Sequence, residues 1–173
     1  AQGDYDAANQ FYQQSLILHR KLGDGWGAAN ALLGLGEIAR CRDRYLEAGQ
    51  AYEDALRQFR DVGDLGGIAM AQHNLGYVAL HAGHVEQAGR AFQASLSASV
   101  ELRQTDMIAF CLAGLAAVFA AAGDLERGAR LFGAADALAL LRPLQFGQPG
   151  LGGALADRAL ALAPPAALRQ GFA

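Results

Sequence analysis

Cysteine and proline are scarce in this chain, two and four residues in 173. Cys41 and Cys111 lie seventy residues apart, too sparse for a disulfide framework, and a reduced, cytoplasmic setting is the expectation. Excess charge is missing too. The net charge of −3 comes without a block of like charges, so the chain lacks the basic footprint of a nucleic-acid-binding surface. No apolar run is long. The greasiest stretch, about residues 108–122, is too short to cross a bilayer, and no signal-like segment opens the chain. A Gly-x4-Gly-Lys-Ser/Thr phosphate loop does not occur. The Ser, Cys and His residues fall on separate segments, without the strand–turn–helix setting of an activated nucleophile. Together these absences argue against an enzyme. They predict no cofactor, no metal, no nucleic acid and no membrane among the partners.

What the chain has instead is a period. Gly3-Asp4-Tyr5, Asp43-Arg44-Tyr45, Gly83-His84-Val85 and Gly123-Asp124-Leu125 open one pattern at a spacing of forty residues. A small residue follows at Ala8, Ala48, Ala88 and Gly128, and an aromatic four further on at Tyr12, Tyr52, Phe92 and Phe132. A register kept through four copies marks a repeat array. The chain is 53% apolar, much of it Ala, so helices can pack closely with few bulky side chains.

Between the turns the apolar spacing is helical. Tyr45, Ala48, Tyr52, Ala55 and Leu56 share a face, as do Val85, Ala88, Phe92, Ser95 and Leu96. This predicts second-of-pair helices over about 4–22, 44–62, 84–102 and 124–141. The breakers Gly23-Asp24-Gly25, Gly63-Asp64 and Gln104-Thr105-Asp106 follow, with Gly ending one helix and Asp or Thr capping the next. First-of-pair helices are expected over about 26–42, 66–82 and 106–122. They share Ala31-x3-Leu35-Gly36, Ala71-x3-Leu75-Gly76 and Cys111-x3-Leu115-Ala116. A mid-helix Gly costs about 1 kcal/mol against Ala. Its recurrence in register predicts a neighbouring helix too close for a side chain.

The fold is therefore all-α, stacked antiparallel helix pairs. Residues 1–142 form the array, a half repeat at 1–24 and repeats at 25–64, 65–104 and 105–142. Residues 143–173 are expected as a Gly/Pro-rich loop and a short helical tail or cap, with Pro143 ending the last helix. The first helix has no partner before it. The chain thus reads as a fragment of a longer protein, with the stripe Tyr5, Ala8, Tyr12, Ser15 and Leu16 exposed and available for self-association.

Leu35-Gly36 with Ala48-x3-Tyr52, and Leu75-Gly76 with Ala88-x3-Phe92, resemble the tetratricopeptide repeat, which pairs Leu-Gly in its first helix with Ala-x3-Phe in its second. The copy Leu115-Ala116 with Gly128-x3-Phe132 is degenerate. The early Trp and terminal Pro of the usual repeat are missing, and the period exceeds the standard of about 34 residues. The junctions Leu22-Gly23-Asp24 and Val62-Gly63-Asp64 resemble the extended class of the Pins/LGN adaptors and kinesin light chain. The run Arg130-Leu131-Phe132-Gly133-Ala134-Ala135-Asp136, followed by a Pro-containing loop, is similar to the C-terminal arm of bacterial signal-transduction ATPases and LuxR-type regulators.

That resemblance implies a right-handed superhelix whose first-of-pair helices line a concave groove for a protein or peptide. An alternative it implies is an arm that senses a small molecule or peptide for an ATPase or transcriptional regulator. The groove positions would be Asn30, Leu33, Glu37, Arg40 and Cys41, then Met70, His73, Tyr77, Leu80 and His81, then Phe110, Ala113, Ala117, Ala120 and Ala121. Such a groove is polar at its start, aromatic in the middle and apolar at its end, which suits an amphipathic helix or an extended peptide. Asn74, just before Leu75-Gly76, matches an Asn that contacts ligand backbone in the extended class; hydrogen bonding between helices is its other reading. His73, His81 and His84 are too spread for a metal site. Trp26 is expected to pack at a repeat junction and Cys111 to be an inert core residue. Arg40, Arg42 and Arg44 cluster at one turn, either to meet an acidic partner or as a solvated turn.

Overall fold

The computed structural model describes residues 2–140, with side chains from residue 5 to residue 139. The expected tail or cap at 143–173, and Pro143 as a helix stop, lie outside the described residues. Seven α-helices and no strand occur among the described residues: α1 Gln2–Leu22, α2 Gly25–Cys41, α3 Tyr45–Val62, α4 Leu65–His81, α5 Val85–Glu101, α6 Thr105–Ala121 and α7 Leu125–Leu140. Connections of two or three residues make each helix pack on the next, and α2, α4 and α6 also touch in series. The result is an all-α solenoid of stacked helix pairs.

The turns explain the boundaries. Gly63 adopts φ +72°, and its amide and the next fold back onto the carbonyls of Arg60 and Phe59. Asp64 then caps α4, its carboxylate accepting from the amides of Gly66 (3.0 Å) and Gly67 (3.1 Å). Asp24 caps α2 in the same way through Gly27. The third copy departs from expectation. Gln104 stands where Asp24 and Asp64 stand and makes no side-chain cap, and neither Thr105 nor Asp106 replaces it, because both already lie inside α6. Arg103 meanwhile takes the left-handed φ of +55° that Gly23 and Gly63 take elsewhere.

The recurrent glycines receive the recurrent aromatics. A Cβ built on Gly36 would lie 2.5 Å from the Tyr52 ring, and one on Gly76 would lie 2.8 Å from Phe92. A second glycine two residues earlier serves the preceding pair: Gly34 meets Tyr12 at 2.4 Å, and Gly114 meets Phe92 at 2.5 Å. Phe92 thus sits between α4 and α6 with a glycine on each side and is fully buried, as is Tyr52. Burial of a ring of this size is worth about 1.5–3 kcal/mol, enough to offset a mid-helix glycine.

Both ends of the array depart from the pattern. Phe132, the fourth aromatic in register, is 62% exposed, and α7 buries Leu131, Ala134, Ala135 and Leu138 instead. Ala116 occupies the place of Gly36 and Gly76, so the ring has no seat on α6. At the other end, Ala8, Tyr12, Ser15 and Leu16 are half-buried in place of exposed, because α1 turns them onto α2. The large apolar residues that α1 exposes are Tyr5, Phe11, Ile17, Leu18 and Leu22.

Candidate interaction face

The exposed side of α2, α4 and α6 runs in columns forty residues apart. Asn30, Met70 and Phe110 form one, and Glu37, Tyr77 and Ala117 another. Met70 (43% exposed), Tyr77 (38%) and Phe110 (53%) are large apolar groups left open to solvent. His73 ties two of them together. Its ring lies edge-on to Tyr77 at 4.9 Å and 6.1 Å from Phe110, with Phe92 below at 5.5 Å. A patch of exposed aromatics on a rigid aromatic floor marks interaction surfaces more often than solvated ones.

His73 itself is not on the surface. It is buried, one column inward from where the sequence placed it, because α2 and α6 close on both sides of α4. Burial, with a smaller contribution from the Arg40 charge, lowers its pKa to about 4, so the imidazole is neutral. Beneath it the core is polar. Nδ1 lies 3.9 Å from Cys111 Sγ, the thiol donates to Ser95 Oγ at 3.1 Å, and Ser99 donates to the Ser95 carbonyl at 2.7 Å. Burial pushes the Cys111 thiol up to about 11. Such a thiol is a packing group in its resting state. Leu33, also expected in the groove, is buried in the core with Tyr52 and Phe59.

On α2 the polar end of the face is internally paired. Arg40 donates to both Glu37 oxygens, and the Tyr52 hydroxyl donates to Glu37 at 3.1 Å. The Arg40 guanidinium holds the Glu37 carboxyl below its usual range, while burial followed by the Glu37 charge raises the Tyr52 phenol. Asn30 bonds back to the Trp26 carbonyl. His81 stacks on Tyr45 with centroids 3.5 Å apart, and exposed Cys41 points its thiol at Glu37. Asn74 is half-buried, and among the described residues its carboxamide has no hydrogen-bond partner. This does not fit the helix-to-helix bonding reading.

The arginine cluster does not form a free basic patch. Arg40 pairs with Glu37, Arg42 with Asp6 and Arg44 with Glu47. Trp26 does sit at a repeat junction, its indole donating to Asp64 across to α4 at 2.8 Å. Neither the Tyr45–His81 stack nor this indole bond is legible in the sequence. Both need the inter-repeat geometry to be seen.

Residues 1–61, which span α1 to α3, match a family model described as the tetratricopeptide repeat. This is the segment in which Tyr12 sits on Gly34 and Tyr52 on Gly36. No curated protein and no solved structure matches the chain. The tetratricopeptide repeat is an interaction module; beyond the matched segment, α4 packs on α5 and α6 on α7 as α2 packs on α3. Among the described residues, no group of three or more His, Cys, Asp or Glu side chains is placed to hold a metal, and no helix is long and apolar enough to cross a membrane.

Proposed function

We propose that the α2–α4–α6 face binds a protein or peptide segment, and that the chain is the C-terminal arm of a larger bacterial regulator in the cytoplasm. The observation that carries the binding reading is the exposed Met70–Tyr77–Phe110 patch over buried His73, with the unpaired Asn74 carboxamide beside it. The apolar patch would take the apolar side of an amphipathic segment. Asn74 can both donate to and accept from a peptide group. The Glu37–Arg40 pair would lie at the polar end. The regulator context is supported by the resemblance of the 130–136 run.

The test is partner binding by Tyr77→Ala and Asn74→Ala proteins. Each should weaken binding while the helical circular dichroism signal stays the same. Unchanged binding in both would remove this face from consideration.

A further inference from the structure

A cleft of about 190 Å³ opens on the side of α2 away from the candidate face, between α1 and α3. Its floor is apolar: Leu35, Ile38 and Ala39 of α2 and Ala51 of α3. Its rim is polar: the carboxamides of Asn9 and Gln13, one helical turn apart on α1, and the Arg44 guanidinium facing the Glu47 carboxylate at 3.1 Å.

The repeat explains why the cleft is there. The floor recurs one repeat on as Leu75, Val78, Ala79 and Ala91, so it belongs to the scaffold. The rim does not recur: the corresponding residues are Gly49, Glu53, His84 and Gln87. Asn9 carries a carboxamide where the next repeat has Gly49, so the polar rim is particular to this cleft.

We propose that this cleft binds a small aliphatic zwitterion of the α-amino-acid type. The rim offers one cation and one anion side by side, which complement a ligand's carboxylate and ammonium together and a singly charged ligand only in part. The two carboxamides can donate to the carboxylate and accept from the ammonium. The aliphatic floor takes a branched side chain. A dry cavity of about 150 Å³ holds a six-carbon ring, so this half-enclosed cleft has room for a ligand of valine size. The proposal stands on a different face from the groove reading, and the failure of one leaves the other intact.

The experiment titrates the full chain with L-valine, reading thermal stability and ¹⁵N chemical shifts. The expected result is a saturable rise in Tm, with shifts concentrated at residues 9, 13, 38, 44 and 47. Arg44→Gln should weaken binding about tenfold or more. Asn9→Ala should weaken it by removing one carboxamide from the rim, with helicity retained in both. Isobutyrate and isobutylamine, each with one of the two charges, should bind more weakly than L-valine. No saturable response to L-valine overturns the proposal, as do shifts confined to the α4–α6 face or unchanged affinity in both variants. Equal binding of isobutyrate overturns the zwitterion assignment.

Discussion

The Tyr52 ring fills the space that a side chain at residue 36 would need, with Gly36 2.5 Å from it once a Cβ is built. The phenol then reaches past the glycine to donate to Glu37 on the same helix. One contact therefore joins the core of the first full repeat to the polar end of its exposed face. Gly36→Ala should destabilise the protein by about 1–3 kcal/mol, because the ring or the backbone must shift. Gly133 lies in α7 with nothing within 4 Å of its would-be Cβ. There the same change should stabilise by about 0.5–1 kcal/mol. Denaturant unfolding of the two variants checks the opposite signs.

Trp26 and Asp64 couple neighbouring repeats. Asp64 caps α4 and also accepts the Trp26 indole. Asp64→Ala should cost about 1–2 kcal/mol, the upper part of the range for a helix cap, and should shift the emission of the only tryptophan. A double-mutant cycle with Trp26→Phe should show a non-zero coupling energy. Strict additivity would mean that the indole bond contributes nothing.

Stability should depend on pH through His73. Its folded-state pKa of about 4 lies below the ordinary histidine value of 6.5, so the unfolded chain binds the extra proton between those values. Stability from this group is complete above pH 6.5 and is lost as pH falls toward 4, by at most about 3 kcal/mol. Glu37 and Asp24, whose pKa values are lowered, lose their contribution as pH falls through the carboxylate range, from about 4.5 downward. His73→Gln should flatten the slope between pH 6.5 and 4 in urea titrations and leave the more acidic limb in place.

The two thiols should separate by accessibility. Cys41 is exposed and Cys111 is buried with its thiol held up to about 11. Mass spectrometry after brief treatment with a maleimide at neutral pH should find one label, on Cys41. A second should appear only after denaturation. Rapid native labelling of Cys111 would show that α4 and α6 open readily.

Much of the fold can be read in the sequence because a forty-residue period fixes turns and helix faces together. Asp24, Asp64 and the Leu-Gly pairs each mark a local physical need. Asn74, Tyr77 and Phe110 follow from the same register. The misses share one cause, which is that neighbours decide exposure. His73 and Leu33 lie one column inward because helices flank α2 and α4. Phe132 turns outward because Ala116 fills its seat. The arginines at 40, 42 and 44 look like a basic patch until their partners on α1, α2 and α3 are placed. The cleft beside Asn9 needed α1, α2 and α3 to be placed together to be seen at all.

The central claim is that the chain binds its partner through the α4–α6 face. The direct measurement places a photoreactive benzoylphenylalanine at residue 70, 77 or 110 in turn, and at Leu46, which is 80% exposed on α3, as the control. Cross-linking in an extract of the source cells follows. The account predicts one shared adduct from positions 70, 77 and 110, suppressed by Asn74→Ala, and none of it from position 46. The same adduct from position 46, or none from the three face positions while the protein still binds its partner, would contradict it.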